Sequence, residues 1–113
     1  MGIKLLFIAM TFLIGLFGLV ISLLLVNDKI SPNNAVGVRT SQTLANKDVW
    51  YKANRYFGKD FLIVSIVWLV VSVALYIYRE KLELPIILVI TQLITVIGVL
   101  IPVVRIFSYL KKL

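Results

Sequence analysis

The chain alternates between three long apolar runs and shorter polar segments. The apolar runs cover residues 5–26, 61–78 and 84–104. A helix rises about 1.5 Å per residue, so the first run would be about 33 Å long, enough to cross the roughly 30 Å hydrocarbon core of a bilayer. Pro85 falls in the first turn of the third run, where its missing N–H is tolerated. The pattern predicts three transmembrane helices, with a short polar loop at 79–83 between the second and third.

Each apolar run contains small or polar residues at helical spacing. They are Thr11, Gly15, Gly18 and Ser22 in the first run, Ser65 and Ser72 in the second, and Thr91, Thr95, Gly98 and Pro102 in the third. Such residues let helix backbones approach closely and form hydrogen bonds across the contact. Two interpretations are open at this point. The stripes either pack three helices together or line a polar groove in which Gln92 contacts a ligand.

The polar segment 27–60 separates the first two apolar runs, and we call it the cap. Pro32 and Gly37 favour an irregular first part. Further on, apolar residues recur at helical spacing opposite a basic face; the apolar positions are Leu44, Val49, Trp50, Ala53 and Phe57, and the basic ones are Lys47, Lys52, Arg55 and Lys59. This pattern predicts an amphipathic helix at the membrane interface, with Trp50, Tyr56 and Phe57 towards the acyl chains.

The composition removes several classes of chemistry. Hydrophobic residues make up 61% of the 113 residues and the mean hydropathy is +1.04, more apolar surface than a soluble domain of this size can bury. The absence of Cys and His excludes disulfides, thiolate chemistry, the usual zinc sites and a His general base. The five carboxylates lie outside the apolar runs, and no pair has a spacing that suggests acid–base catalysis. The sequence therefore predicts a protein that is not an enzyme, with no catalytic residue, metal or cofactor.

Lys and Arg residues are distributed unevenly between the two sides that three spans define. The side of the cap and the C-terminus carries nine of them, whereas the other side carries Lys4, Arg79 and Lys81. The positive-inside rule predicts a cytoplasmic cap and C-terminus, with the N-terminus outside. The formal charge of +7 predicts contact with anionic lipid headgroups. Nucleic acid is not an expected partner, because the basic residues are interleaved with membrane-anchoring aromatic residues.

Arg39 lies in a Gly-Val-Arg-Thr turn in the irregular first part of the cap. A guanidinium group near a membrane surface can bind a carboxylate, a phosphate or backbone carbonyls through paired N–H donors. Two roles are therefore open for Arg39. It either pins the loop in place or contacts a ligand.

The cap resembles the signature of the SdpI family of small bacterial membrane proteins. That signature combines an Asn, a Gly-Ile/Tyr-Arg-Thr turn, a Thr-Leu pair, and a Trp followed by Asn or His, then Arg and Gly. This chain has Val38 where Ile or Tyr is more usual, and Asn54 where His is frequent. The matching positions here are Pro32, Asn33, Gly37, Val38, Arg39, Thr40, Thr43, Leu44, Asn46, Trp50, Asn54, Arg55, Gly58 and Lys59.

The resemblance implies an all-α membrane protein with three transmembrane helices and a cytoplasmic interfacial amphipathic helix, forming one SdpI-like domain over residues 1–113 of a bacterial cell-membrane protein. It also implies an immunity function, in which the protein binds a secreted membrane-active toxic peptide and takes part in signalling through a cytoplasmic regulator. The candidate contacts are Asn33, Gly37, Arg39, Thr40, Trp50, Asn54, Arg55 and Gln92. The alternative is a small transporter, or a subunit of one, that acts as a homo-oligomer.

Overall fold

The computed structural model describes residues 2–113, which form four helices and no strand. The helices are α1 (Ile3–Val26), α2 (Ser41–Ala45), α3 (Lys47–Ile77) and α4 (Leu84–Leu110). Helices α1, α3 and α4 are each long and apolar enough to cross a membrane. The predicted all-α fold with three membrane spans is therefore confirmed.

Helix α3 joins the predicted amphipathic helix and the second span into one uninterrupted helix. It has 31 residues, or about 46 Å, so it is longer than the hydrocarbon core is thick. Asn46 caps its start, because the side-chain oxygen accepts the N–H groups of Asp48 at 2.9 Å and Val49 at 3.3 Å. One continuous helix therefore links the cap to the bilayer-spanning part of the protein.

Gly58 lies where the polar part of α3 meets its apolar part, and it does not break the helix. A Cβ atom at this position would lie 3.0 Å from the Cβ of Leu25 and 3.2 Å from the carbonyl oxygen of Ser22. The glycine therefore permits the close approach of α1 to α3. This contact between helices outweighs the weak helix propensity of glycine.

The stripes of small and polar residues face the interior of the bundle. Most of their members are buried: Thr11, Gly15, Gly18, Ser22, Ser65, Ser72, Thr91, Gly98 and Pro102. Their hydroxyl groups donate to carbonyl oxygens of their own helix; for example, Ser65 Oγ lies 2.8 Å from the oxygen of Phe61. Between helices, the indole N–H of Trp68 donates to the carbonyl oxygen of Ile94 at 2.9 Å. The packing interpretation therefore holds for these positions.

Gly98 of α4 provides a test of this close packing. A Cβ atom there would lie 2.7 Å from Cγ1 of Val64 and 2.8 Å from the ring of Trp68. The hydrogen bond from the indole to Ile94 holds that ring in place. We expect Gly98→Ala to lower the free energy of unfolding by about 1–3 kcal/mol, measured by SDS denaturation in detergent micelles. Gly2→Ala is the matched control, because a Cβ there meets nothing within 4 Å. Equal unfolding midpoints for the two variants would contradict the packing.

The orientation of the three spans is a second testable point. The chain has no native cysteine, so single cysteines introduced at Ser41 and Glu83 can be labelled selectively. We expect an impermeant maleimide to label Glu83→Cys on intact cells, and Ser41→Cys only after permeabilisation, because Lys and Arg are enriched on the cap side. Labelling of both positions from one side would refute the three spans, and the reverse pattern would refute the orientation.

Candidate functional site

Asn54 is the centre of the cap. It lies in the first part of α3 and its side chain is 1% exposed. The side-chain oxygen accepts the backbone N–H of Val38 at 2.6 Å, and the side-chain nitrogen donates to the carbonyl oxygen of Trp50 at 2.9 Å. An uncharged amide has both a donor and an acceptor, so it satisfies both backbone groups at once. Asn54 thereby fastens the irregular part of the cap to α3.

Trp50 is fully buried and points into the cap. Its indole N–H donates to the carbonyl oxygen of Ile30 at 2.9 Å. The prediction that Trp50 faces the acyl chains is therefore wrong. The loop folds over this side of α3 and supplies a hydrogen-bond acceptor for the indole, which hydrocarbon lacks.

Two further aromatic residues predicted to enter the acyl chains lie instead between α3 and α4. Tyr56 is half-buried and stacks on Tyr109, with ring centroids 4.1 Å apart and planes inclined by 6°. Phe57 is half-buried against the cluster of Ala53, Ile106 and Leu110. The apolar face of the amphipathic segment is therefore covered largely by protein.

Gly37 lies where the loop passes closest to α3. Its φ angle is +116°, in a region that residues with a Cβ rarely adopt. A Cβ atom would also lie 2.8 Å from the side-chain oxygen of Asn54 and 3.0 Å from the ring of Trp50. Both the backbone conformation and the available space therefore require glycine here.

Asn33 and Thr40 shape the loop on either side of Gly37. The side-chain oxygen of Asn33 accepts the N–H groups of Ala35 and Val36, each at 2.7 Å. Thr40 begins α2 through reciprocal hydrogen bonds with Thr43, at 3.1 Å and 2.8 Å. These contacts are internal to the cap, so both residues have an architectural role.

Arg39 is exposed, whereas Gly37, Val38 and Thr40 beside it are half-buried. Its guanidinium donates to the carbonyl oxygen of Asn34, and this is its one hydrogen bond with residues 2–113. The guanidinium of Arg39 is therefore attached to the turn that Asn33 stabilises. A guanidinium has five N–H donors, so most of its binding capacity faces outward.

Arg55 contributes to a basic surface at the same end of the bundle. Its Nε lies 3.2 Å from a carboxylate oxygen of Asp28, and both side chains are 45% exposed, so the ion pair adds little stability. Next to it is a cavity of about 160 Å³. The lining residues are Lys52, Arg55, Tyr56, Lys59 and Tyr109.

Gln92 lies far from this cluster along the chain, in the membrane-spanning part of α4. Its side chain is exposed and borders a cavity of about 200 Å³ between α1 and α4, together with Thr11 and Thr95. The structure thus brings seven of the eight predicted site residues together in the cap and leaves Gln92 apart. A ligand groove at Gln92 stays a prediction, and the two threonine hydroxyls beside this cavity bond to their own helices.

A larger apolar cavity of about 350 Å³ lies between α1 and α3, at the end of the bundle opposite the cap. Sequence reasoning missed it, because every lining position is typical of an ordinary span. The small Ala9 beside Phe12 is the one local sign of a gap. Its lining residues are Leu5, Ile8, Ala9, Phe12, Ser72, Val73 and Tyr76.

Three spanning helices with a hydrogen-bonded cap between the first two define a small multi-pass membrane protein. The profile described as the SdpI/YfhL protein family matches residues 29–106, which contain most of the cap, all of α3 and most of α4. This match covers more than half of the 113 residues, and the chain belongs to the SdpI/YfhL family. No curated protein and no solved structure matches the chain significantly.

Gly37 allows the architecture of the cap to be tested. We expect Gly37→Ala to detach the loop from α3, because the new Cβ would meet Asn54 and Trp50. Iodide should then quench the fluorescence of Trp50 more strongly in lipid nanodiscs. Trp68 does not contribute to this change, because iodide does not enter the bilayer. Asn34→Ala is the control in the same loop, because the bond from Arg39 uses only the backbone of Asn34. Unchanged quenching in Gly37→Ala would show that the loop does not cover Trp50.

Proposed function

We propose that this protein gives a bacterium resistance to a secreted, membrane-active toxic peptide by binding it. The observation that carries the proposal is membership of the SdpI/YfhL family through a match that includes most of the cap and the last two spans. The family is one of membrane immunity proteins and is not known for catalysis. We therefore assign the protection to binding.

The apolar cavity between α1 and α3 is the site we propose for the peptide. At about 350 Å³ it accommodates one or two large apolar side chains, and it opens towards the lipid near the predicted outer surface. A secreted peptide that enters the membrane from outside reaches this end of the bundle first. Ser72 does not offer a free hydroxyl there, because it donates to the carbonyl oxygen of Leu69 at 2.9 Å. The site therefore favours an apolar segment of the peptide.

Arg39 is the contact we propose on the cap. The other signature residues of the loop, Asn33, Gly37 and Thr40, are engaged in internal contacts, whereas Arg39 presents its guanidinium outward from a fixed turn. A pre-positioned guanidinium binds a carboxylate with little loss of side-chain entropy. Its partner is an acidic group of the peptide or of a cytoplasmic regulator that responds to it.

Anionic lipid headgroups are the third partner we propose. Lys52 and Lys59 flank the cavity at the Tyr56–Tyr109 stack, where α3 emerges from the bilayer. Basic side chains at this depth attract acidic lipids at about 1 kcal/mol each. This attraction supports the cap against the membrane surface while the spans hold the peptide.

A small transporter, or a subunit of one, is the second candidate function. The cavity of about 200 Å³ bordered by Thr11, Gln92 and Thr95 favours it, because these are the polar side chains that a path between helices would need. Three helices enclose little space, so such a path requires an oligomer. The absence of ionisable residues from apolar run 5–26 makes ion-coupled transport less favourable.

Survival of a sensitive bacterial host challenged with membrane-active peptides tests the resistance. We expect expression of this protein to protect the host, and Arg39→Ala to remove most of the protection at equal membrane abundance. Lys47→Ala is the matched control, because Lys47 is an exposed cation of the same cap outside the signature. Arg39→Lys keeps the charge but not the paired donors, so we expect partial protection.

A second pair of variants locates the peptide within the bundle. Ala9→Phe fills the cavity between α1 and α3, whereas Ala74→Phe adds the same ring at an exposed position that does not line it. We expect protection to fall in the first variant and to persist in the second. Full protection in both Arg39→Ala and Ala9→Phe would exclude Arg39 and the apolar cavity as contact sites. No protection by the wild type across a panel of peptides would refute resistance and favour transport.

A further inference from the structure

The Ser, Thr and Trp side chains inside the spans form hydrogen bonds within the part of the chain that the structure describes, whereas Gln92 does not. The hydroxyls and the indole donate to backbone carbonyls; the residues are Thr11, Ser22, Ser65, Trp68, Ser72, Thr91 and Thr95. Gln92 forms no side-chain hydrogen bond with any part of residues 2–113, and its side chain is exposed. The carbonyl of Leu88, one turn earlier, already accepts a bond from Thr91 at 3.1 Å. The amide of Gln92 is therefore left without a partner.

The depth of Gln92 makes this exposure costly. It lies two residues from the middle of the apolar run 84–104, which is about 3 Å along the helix axis. Its outer side faces hydrocarbon, which can neither donate nor accept a hydrogen bond, and on its other side the hydroxyls of Thr11 and Thr95 donate to carbonyls of their own helices. Its flanks, Leu88, Val89 and Leu93, are also apolar. A polar group in such a position is expected to bond to another protein segment.

The residues around Gln92 form a seam typical of helix association. Val89, Gln92, Val96 and Val99 follow one another at spacings of three, four and three, so they lie along one side of α4. The three valines are 56%, 53% and 47% exposed, respectively. Short β-branched side chains let a second helix approach closely, and one polar residue in such a seam sets the register. We call these four residues the α4 seam.

We propose that the α4 seam is the docking surface for a second copy of this chain, in a parallel dimer closed by paired Gln92 side chains. A carboxamide is self-complementary, since each copy donates an N–H to the carbonyl of the other across a two-fold axis. Two copies inserted in the same orientation bring Gln92 to the same depth without further adjustment. An acyl chain cannot supply these bonds, and a different peptide must carry a matching polar group at this depth.

Cysteine cross-linking in native membranes tests this dimer, because the chain contains no native cysteine. Val96→Cys places the thiol on the α4 seam. Ile97→Cys is the control, since the next residue is 49% exposed and lies about 100° further around the helix. We expect oxidation with copper phenanthroline to give a disulfide-linked dimer for Val96→Cys and mainly monomer for Ile97→Cys.

The contribution of Gln92 is then measured by adding Gln92→Leu to Val96→Cys. We expect the dimerisation constant to fall roughly three- to thirty-fold, in line with the strength of hydrogen bonds between membrane helices. Equal cross-linking at positions 96 and 97, an unchanged dimer in Gln92→Leu, or a Val96 cross-link only to a different protein would each overturn the proposal. The readout does not use peptide resistance, so the dimer and the proposed function can fail separately.

Discussion

Hydrocarbon supplies no hydrogen-bond partners, and the arrangement of polar groups in this small protein follows from that constraint. Within the spans, Ser and Thr hydroxyls donate to carbonyls of their own helices, so the helices can pack closely without unpaired polar groups. At the end of the bundle, the loop covers the apolar face of the amphipathic segment and gives the indole of Trp50 an acceptor. Gln92 departs from this pattern, and for that reason it points to a partner.

The cap shows how a short signature can encode architecture. Asn54 bonds to the loop and to its own helix, while Gly37 provides the conformation and the space that this contact needs. Asn33 and Thr40 close the turns on either side. These four residues have structural roles in the cap. Arg39 is the signature residue of the loop whose side chain is exposed. The contact proposed on the cap is therefore Arg39, whose guanidinium forms one hydrogen bond within the cap and is otherwise exposed.

Much of this structure could be predicted from the sequence, because length and hydropathy limit how a chain crosses a bilayer. The three runs predicted the spans, and the small-residue stripes predicted their inward faces. The direction of Trp50 could not be predicted, since helical periodicity shows which residues share a face and not what covers that face. The contact of Gly58 with α1 could not be predicted either, because it depends on how the two helices pack in space. The cavity at Ala9 depends on how two helices diverge, for the same reason.

Helix α3 connects these regions. It begins at Asn46 in the cap, passes Gly58 at the contact with α1, and continues to the wall of the apolar cavity at Ser72. A peptide bound at one end and a regulator bound at the other would therefore both contact α3. Coupling between the two needs the cap to be firmly attached to α3.

Hydrogen exchange of the Val38 amide in lipid nanodiscs tests that attachment most directly. The hydrogen bond to Asn54 predicts slow exchange at Val38 in the wild type. In Asn54→Ala, exchange at Val38 should be about tenfold faster, while the amides of α1 remain protected. Exchange of residues 30–40 in the wild type at the rate of an unfolded peptide would contradict a fixed cap.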